Sequence, residues 1–251
     1  MGNKNFENLI IIIPCYNEYN RLPIKDFQDF LGKEKETILL FVNDASTDDT
    51  THLLTSLQKE YPTTVLKISN PENLGKAESI RKAVLYCLEN QLGEYYAYLD
   101  ADLATSLEEC QNYLNHLKSG KKFVFASRIL KIGSIVERKF SRFVFGRIIA
   151  TIISNILDIK VYDTQCGCKL FTKEIGEVVF ERPFISKWLF DVEIFSRILK
   201  HYGKKEGLRQ MDEIPVKKWV DKGDSKVKLS YFFRLWIDLY RIRSAHQKTI
   251  V

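Results

Sequence analysis

The chain has no long apolar run. Its nearest approach, Phe143 to Leu157, is interrupted by Arg147, Ser154 and Asn155 and falls short of the roughly 18 apolar residues that a spanning helix needs, so no transmembrane helix is expected. No secretory signal precedes the first apolar stretch. The five cysteines, Cys15, Cys87, Cys110, Cys166 and Cys168, are odd in number and scattered through apolar segments, which points to a reduced, cytosolic compartment. Cys166 and Cys168 lack a second Cys or His pair that could complete a tetrahedral zinc site, so they read as structural. The turn after the first strand has no glycine, which excludes a dinucleotide fingerprint. Gly75-Lys76 lacks the preceding glycine and the following Ser or Thr of a phosphate loop.

Apolar residues make up 45% of the 251, enough to bury a full core. The net charge of +6 is segregated. Lys121 to Arg147 carries eight Lys or Arg against Glu137, net +7, and Lys217 to Lys248 carries nine against Asp221, Asp224 and Asp238, net +6, which leaves −7 elsewhere. Such a distribution fits either a face that meets phosphate or anionic lipid, or a solvated basic surface. No nucleic-acid partner is expected.

The first half alternates. Leu9 to Ile13, Thr37 to Val42, Thr63 to Ile68 and Tyr95 to Leu99 are continuous apolar or strand-forming runs, as expected of parallel strands buried on both faces. Between them lie helical stripes, Leu53, Leu54 and Leu57 in one and Ile80, Val84 and Leu88 in the next. Strand, polar turn and helix in repetition predict a mostly parallel sheet flanked by helices. The fourth strand stops on Asp100-Ala101-Asp102. Two carboxylates one residue apart on an extended backbone share a side and can hold one divalent cation, and oxygen-only ligands favour Mg²⁺ or Mn²⁺ over zinc. A solvated strand-to-loop junction is the alternative, so the neighbouring segments must decide.

Pro14-Cys15-Tyr16-Asn17-Glu18, Val42-Asn43-Asp44-Ala45-Ser46-Thr47-Asp48, Asn73-Leu74-Gly75-Lys76 and Asp100-Ala101-Asp102 together resemble the ordered motifs of family 2 glycosyltransferases with the GT-A fold. The resemblance implies that Pro14, Tyr16, Glu18, Asp44, Lys76 and Asp100 bind the nucleotide donor. It also implies that Asp100 and Asp102 hold the metal that bridges the donor diphosphate. Asp163-Thr164-Gln165-Cys166-Gly167-Cys168-Lys169, Trp188 through Glu193, Glu213-Ile214-Pro215 and Trp219 through Lys226 resemble the dolichyl-phosphate β-glucosyltransferases within that family. Three departures stand out. Ala104 replaces a Gln that ligates metal in related mannosyltransferases, Asn43 replaces the first acid of the second motif, and the first strand is expected to begin within about ten residues of Met1, where the eukaryotic glucosyltransferases carry an N-terminal membrane anchor.

In the second half, Lys122 to Ala126 reads as a strand that delivers Ser127-Arg128 to the same cleft. The resemblance makes Asp102, Asp163 and Arg128 the catalytic candidates, and Arg128, Gln165, Ser225 and Lys226 the acceptor-phosphate binders. Asp191 and Glu193 occupy alternate positions of a helix, so at most one should face the cleft. The stripe Leu229, Phe232, Phe233, Trp236, Leu239 and Tyr240 is either membrane-facing or core.

The whole implies one domain over 1–251. About 1–104 would be the nucleotide-sugar half and about 105–226 the acceptor half. About 227–251 would form an amphipathic helix, with basic amphipathic helices on one side. The expected reaction is inverting transfer of a sugar, first choice glucose from UDP-glucose, to a dolichyl- or undecaprenyl-type polyprenyl phosphate. The expected setting is an anionic membrane surface at the cytoplasmic face, with Mg²⁺ or Mn²⁺. The alternatives are a sugar or protein hydroxyl acceptor, with Asp163, Asp191 or Glu193 as base, or a non-catalytic binder of nucleotide sugar or lipid phosphate.

Overall fold

A computed structural model describes residues 8–137, 140–220 and 231–247, without the side chains of 140–142, 145, 231–234, 246 and 247. Ser225, Lys226, Arg138, Lys139, Leu229 and the side chains of Arg142, Phe232 and Phe233 therefore lie outside the described residues. In chain order the elements are β1 (Leu9–Cys15), α1 (Ile24–Lys33), β2 (Ile38–Asn43), α2 (Thr50–Glu60), β3 (Val65–Ser69), α3 (Lys76–Glu89), β4 (Tyr95–Leu99), α4 (Leu107–Asn112), α5 (Leu114–Lys118) and β5 (Phe123–Ser127). They continue with β6 (Ile135–Glu137), α6 (Phe140–Leu157), β7 (Cys168–Thr172), α7 (Lys173–Phe180), α8 (Phe190–Tyr202), α9 (Lys204–Arg209), β8 (Met211–Pro215), β9 (Lys218–Val220) and α10 (Tyr231–Gln247).

Seven strands form one sheet in the order β3-β2-β1-β4-β7-β5-β8, and β6 pairs with β9 in a second, small one. All pairings are parallel except those of β7, which runs antiparallel to both β4 and β5. The apolar runs of β1, β2 and β4 are buried on both faces because each face carries its own core. Ile10, Ile12, Val42 and Tyr98 pack with Ile80, Val84, Phe195 and Leu239 on one side. Ile11, Ile13, Phe41 and Leu99 pack with Phe27, Leu54, Leu107 and Cys110 on the other.

β7 explains Cys166 and Cys168. Both thiols are fully buried and unbridged, and burial drives their pKa values above the usual thiol range, so they behave as small apolar side chains. Because β7 is antiparallel, it enters the sheet at the edge where β4 leaves it: Leu99 pairs with Cys168, and the Asp100 N–H donates to the Gly167 carbonyl at 3.1 Å. The segment 163–167 is thereby delivered to the Asp-x-Asp.

α10 divides the tail stripe that the sequence left open. Leu235, Leu239 and Ile242 are buried, whereas Trp236, Ile237 and Tyr240 are exposed. No helix among the described residues is long and apolar enough to cross a membrane.

Candidate active site

The carboxyl ends of β1, β2 and β4 open onto a cleft of about 410 Å³ lined by Pro14, Tyr16, Glu18, Arg21, Asp44, Lys76, Asp100 and Asp102, among others. This is the edge at which open α/β sheets bind ligands. A larger groove of about 610 Å³ lies between α1 and the start of α4. Ala104 and Val220 line it, but none of the described residues expected to bind donor, metal or acceptor does, so the smaller cleft is the candidate site.

The loops after β1 and β2 are fastened to each other. Asn17 N–H donates to Ser46 Oγ at 3.1 Å, Thr47 N–H to Asn17 Oδ1 at 2.8 Å and Glu18 N–H to Thr50 Oγ1 at 2.9 Å. Asn17 and Ala45 in these loops, and Leu103 directly after Asp102, adopt positive φ of 53°, 56° and 51°, a conformation that costs L side chains energy and persists only where the surroundings enforce it. Asn43 takes the place of an acid because its amide works in both directions, donating to Thr51 Oγ1 at 2.8 Å and accepting from Ser46 N–H at 3.1 Å. Asp44 accepts from Leu74 N–H and Gly75 N–H, at 2.9 and 2.8 Å, and from Asn70 Nδ2 at 2.8 Å. It fixes the Asn73–Lys76 turn as well as lining the cleft.

Lys76, the first residue of α3, places its ammonium 2.5 Å from Asp100 Oδ1. Burial opposes that charge, but Asp100 and Asp191 outweigh it and hold the lysine pKa above its usual value. Asp102 accepts from Ala104 N–H at 3.0 Å. Burial, then the neighbouring Asp100, push its carboxyl above the ordinary aspartate range against the pull of Lys76 and Arg21. Arg21, 3.6 Å from Glu18, is a cleft cation that the sequence did not single out; its signal was only its place three residues after Glu18. Asp100 and Asp102 offer hard oxygens to one cleft, which suits Mg²⁺ or Mn²⁺, since such ions need only one or two carboxylates when phosphate and water complete the shell. Ala104 adds no ligand, and no cluster of three acids, cysteines or histidines surrounds the pair among the described residues.

Asp163 and Arg128 are brought together, but onto each other. Arg128 Nε lies 2.6 Å from Asp163 Oδ2 and Nη2 lies 2.9 Å from Oδ1, a bidentate geometry. The guanidinium also covers the Trp219 ring at 5.2 Å. Burial alone would raise the Asp163 carboxyl; Arg128 overrides it and, with the Gln165 and Arg128 N–H groups, lowers the pKa to about 2. From β8, Glu213 accepts the Tyr162 and Asp163 N–H groups at 3.0 and 2.9 Å. Gln165 is half-buried in the same segment. Of the basic side chains in α6, Arg147 turns inward, donating to the Tyr162 carbonyl at 2.7 Å.

Asp191 and Glu193 point apart, as their spacing requires. Asp191 meets the fully buried Lys169 at 2.7 Å and accepts from Tyr98 OH, while Lys169 also donates to the Cys166 carbonyl at 2.7 Å. Glu193 pairs with Arg197 at 2.8 Å and accepts from Ile185 N–H. Lys169, Glu213 and Gly167 carried no signal beyond their place in the second-half motifs, because their partners are remote in sequence.

A family model described as glycosyl transferase family 2 matches residues 10–180. A dolichyl-phosphate beta-glucosyltransferase of Trichomonas vaginalis is 30% identical over 256 residues, which covers 95% of this chain and 74% of that protein. Mannosyl-3-phosphoglycerate synthase from Rubrobacter xylanophilus superposes with a TM-score of 0.68 at 16% identity, covering 96% of this chain and 74% of that one. Glucosyl-3-phosphoglycerate synthase from Mycobacterium tuberculosis, solved with Mn²⁺ and UDP-glucose, gives a TM-score of 0.65 at 15% identity over 95% and 79% of the two chains. At such identities the two structures share a fold with this chain, the α/β arrangement expected from its strand and helix alternation.

Proposed function

The chain belongs to glycosyl transferase family 2, with the GT-A fold, and is a glycosyltransferase; from that premise we propose that it moves glucose from UDP-glucose, with inversion, onto the phosphate of a dolichyl- or undecaprenyl-type polyprenol. One observation carries the choice of acceptor. Each carboxylate considered as a base is matched with a cation: Asp163 with Arg128, Asp191 with Lys169, Glu193 with Arg197. A carboxylate held in that way is a weak proton acceptor, and an alcohol nucleophile needs a strong one. A phosphate monoester, whose second pKa is about 6, is largely dianionic at neutral pH and attacks without losing a proton. Orientation then replaces base catalysis.

In this reading about 1–104 binds the donor and about 105–226 the acceptor. The Tyr16 ring would lie against the base, with Pro14, Glu18 and Asp44 shaping the nucleoside pocket. Asp100 and Asp102 would hold Mg²⁺ or Mn²⁺, which neutralises the charge that develops on the leaving nucleotide. Lys76 and Arg21 bring further positive charge to that side of the cleft. Two of the five Arg128 N–H donors go to Asp163; we assign the other three, with Gln165, to the acceptor phosphate. Asp163 positions Arg128. The exposed Trp236, Ile237 and Tyr240 of α10 and the basic segments support peripheral binding at the cytoplasmic face.

The test is transfer of labelled glucose to a short polyprenyl phosphate and to the matching polyprenol, with Mn²⁺ present. Labelling of the phosphate alone is expected. Equal labelling of the alcohol, or efficient labelling of a free sugar, overturns the acceptor assignment; binding of UDP-glucose without turnover on any acceptor overturns the catalytic one.

A further inference from the structure

Directly after Arg128 the chain leaves the sheet and reverses through Lys131–Ser134 into β6. The apolar side chains of this reversal do not fold back onto the protein. Ile132, at the tip, is fully exposed, and Leu130 and Ile135 are 59% and 53% exposed. Isolated surface leucines are ordinary, but three large aliphatics within six residues of one turn form a patch. The turn is held in shape. Lys131 N–H donates to Ser134 Oγ at 3.0 Å, Ser134 Oγ donates to the Lys131 carbonyl at 2.8 Å, and Gly133 makes the return at φ +87°.

Lysines bracket the patch. Lys131 is exposed beside Ile132. β9 places Lys218 opposite Ile135, and the Lys217 carbonyl accepts the Ile135 N–H at 2.9 Å; both lysines are exposed. Glu137, two residues further on, is the exposed acid of that strand. Aliphatic side chains at a tip with ammonium groups behind them match an anionic bilayer: the tip enters the acyl boundary and the lysines remain at headgroup level.

We propose that the Leu130–Ile135 turn inserts into an anionic bilayer and docks the enzyme there. The proposal rests on the lipid-phosphate reading above and adds the element that touches the membrane. Leu130 is two residues from Arg128, at most about 7 Å of extended chain, so insertion sets Arg128 at the depth where a lipid's phosphate lies. Val144 and Ile148 of α6 and Trp236, Ile237 and Tyr240 of α10 are also exposed, and the experiment treats α10 as the comparison.

Binding to vesicles of phosphatidylcholine with about one-third phosphatidylglycerol is measured for the parent, Ile132→Ser, Leu130→Ser/Ile132→Ser, and Trp236→Ser/Tyr240→Ser. Ile132→Ser is expected to weaken binding about tenfold and the double turn variant further, since each loses a buried aliphatic. Transfer to a short, water-soluble polyprenyl phosphate without vesicles should stay within about twofold of the parent. The five native thiols are all buried, so Ile132→Cys accepts an environment-sensitive fluorophore selectively. Its emission should shift to the blue on anionic vesicles.

Unchanged vesicle affinity in the double turn variant, or no spectral shift, overturns the proposal. So does a vesicle-free loss that grows with prenyl chain length, which would make the turn a cradle for the acceptor's tail. A parent dimer that the turn variant converts to monomer would assign the patch to a second copy and overturn it too. If the parent transfers to no polyprenyl phosphate yet its vesicle binding still depends on Ile132, the functional reading fails and the insertion stands.

Discussion

Gly167 and Asp100 share one space: a β-carbon added to Gly167 would fall 1.8 Å from Asp100 Oδ2. The obstruction is the end of a short side chain, so the backbone can stay while the carboxylate moves. Gly167→Ala should therefore melt within a few degrees of the parent but lose at least tenfold in transfer, with a raised Mn²⁺ requirement. Thermal melts and a metal titration of activity check this; a folded variant with the parent's metal dependence would break the link between Gly167 and Asp100.

Asp102 should show opposite pH dependences for stability and activity. Its folded pKa is raised above 3.8, so the native state holds the proton more tightly than the unfolded chain. Its contribution is most favourable at low pH and is lost as pH rises through the raised value. Activity runs the other way, because only the carboxylate ligates metal. Asp102→Asn should thus be at least as stable as the parent at pH 7 while metal-dependent transfer is abolished. Urea unfolding and a pH–rate profile measure the two sides.

The Asp163 contribution has the reverse sign. Its pKa falls from 3.8 to about 2 on folding, so its stabilisation is complete above pH 4 and disappears as pH drops towards 2. That shift corresponds to about 2 kcal/mol. Asp163→Asn should flatten the acid limb of the stability profile by that amount and lower turnover more than donor affinity. An unchanged acid limb, measured by urea unfolding between pH 2 and 5, would contradict the pairing with Arg128.

Lys169 and Asp191 should be costly to separate. Lys169→Met leaves a buried carboxylate without its cation and should destabilise by about 3–5 kcal/mol. Lys169→Met/Asp191→Leu should cost less than the sum of the two single changes. Chemical denaturation of all three variants closes the cycle, and additive losses would mean that the 2.7 Å pair is not an energetic unit.

The parallel part of the sheet was legible because β1, β2 and β4 are buried on both faces and therefore read as unbroken apolar runs. β7 was not: Cys168-Lys169-Leu170-Phe171-Thr172 carries a lysine in mid-strand, and its counter-ion lies on α8, 22 residues later. The Asp-x-Asp was legible as a pair of cleft residues because both carboxylates sit in one local stretch. The pairing of Arg128 with Asp163 spans 35 residues, and no local pattern shows that two residues expected to face the acceptor first face each other. Asp44 was recognised as a cleft residue, but its hold on the Asn73–Lys76 turn is a contact across 30 residues. The tail stripe was open for a different reason: α10 is apolar on two faces, and a single period cannot tell which one is covered.

The antiparallel entry of β7 limits how such a site can diverge. In the assignment proposed above, the donor-side Asp100 and the acceptor-side 163–167 segment are joined by the backbone hydrogen bond from Asp100 to Gly167, so a change of acceptor that drags that segment would also drag a donor-side carboxylate. Under that assignment, new acceptors are accessible by altering residues outward of that joint, such as Gln165. Gly167 itself is a position that a library selecting for a new acceptor should leave untouched.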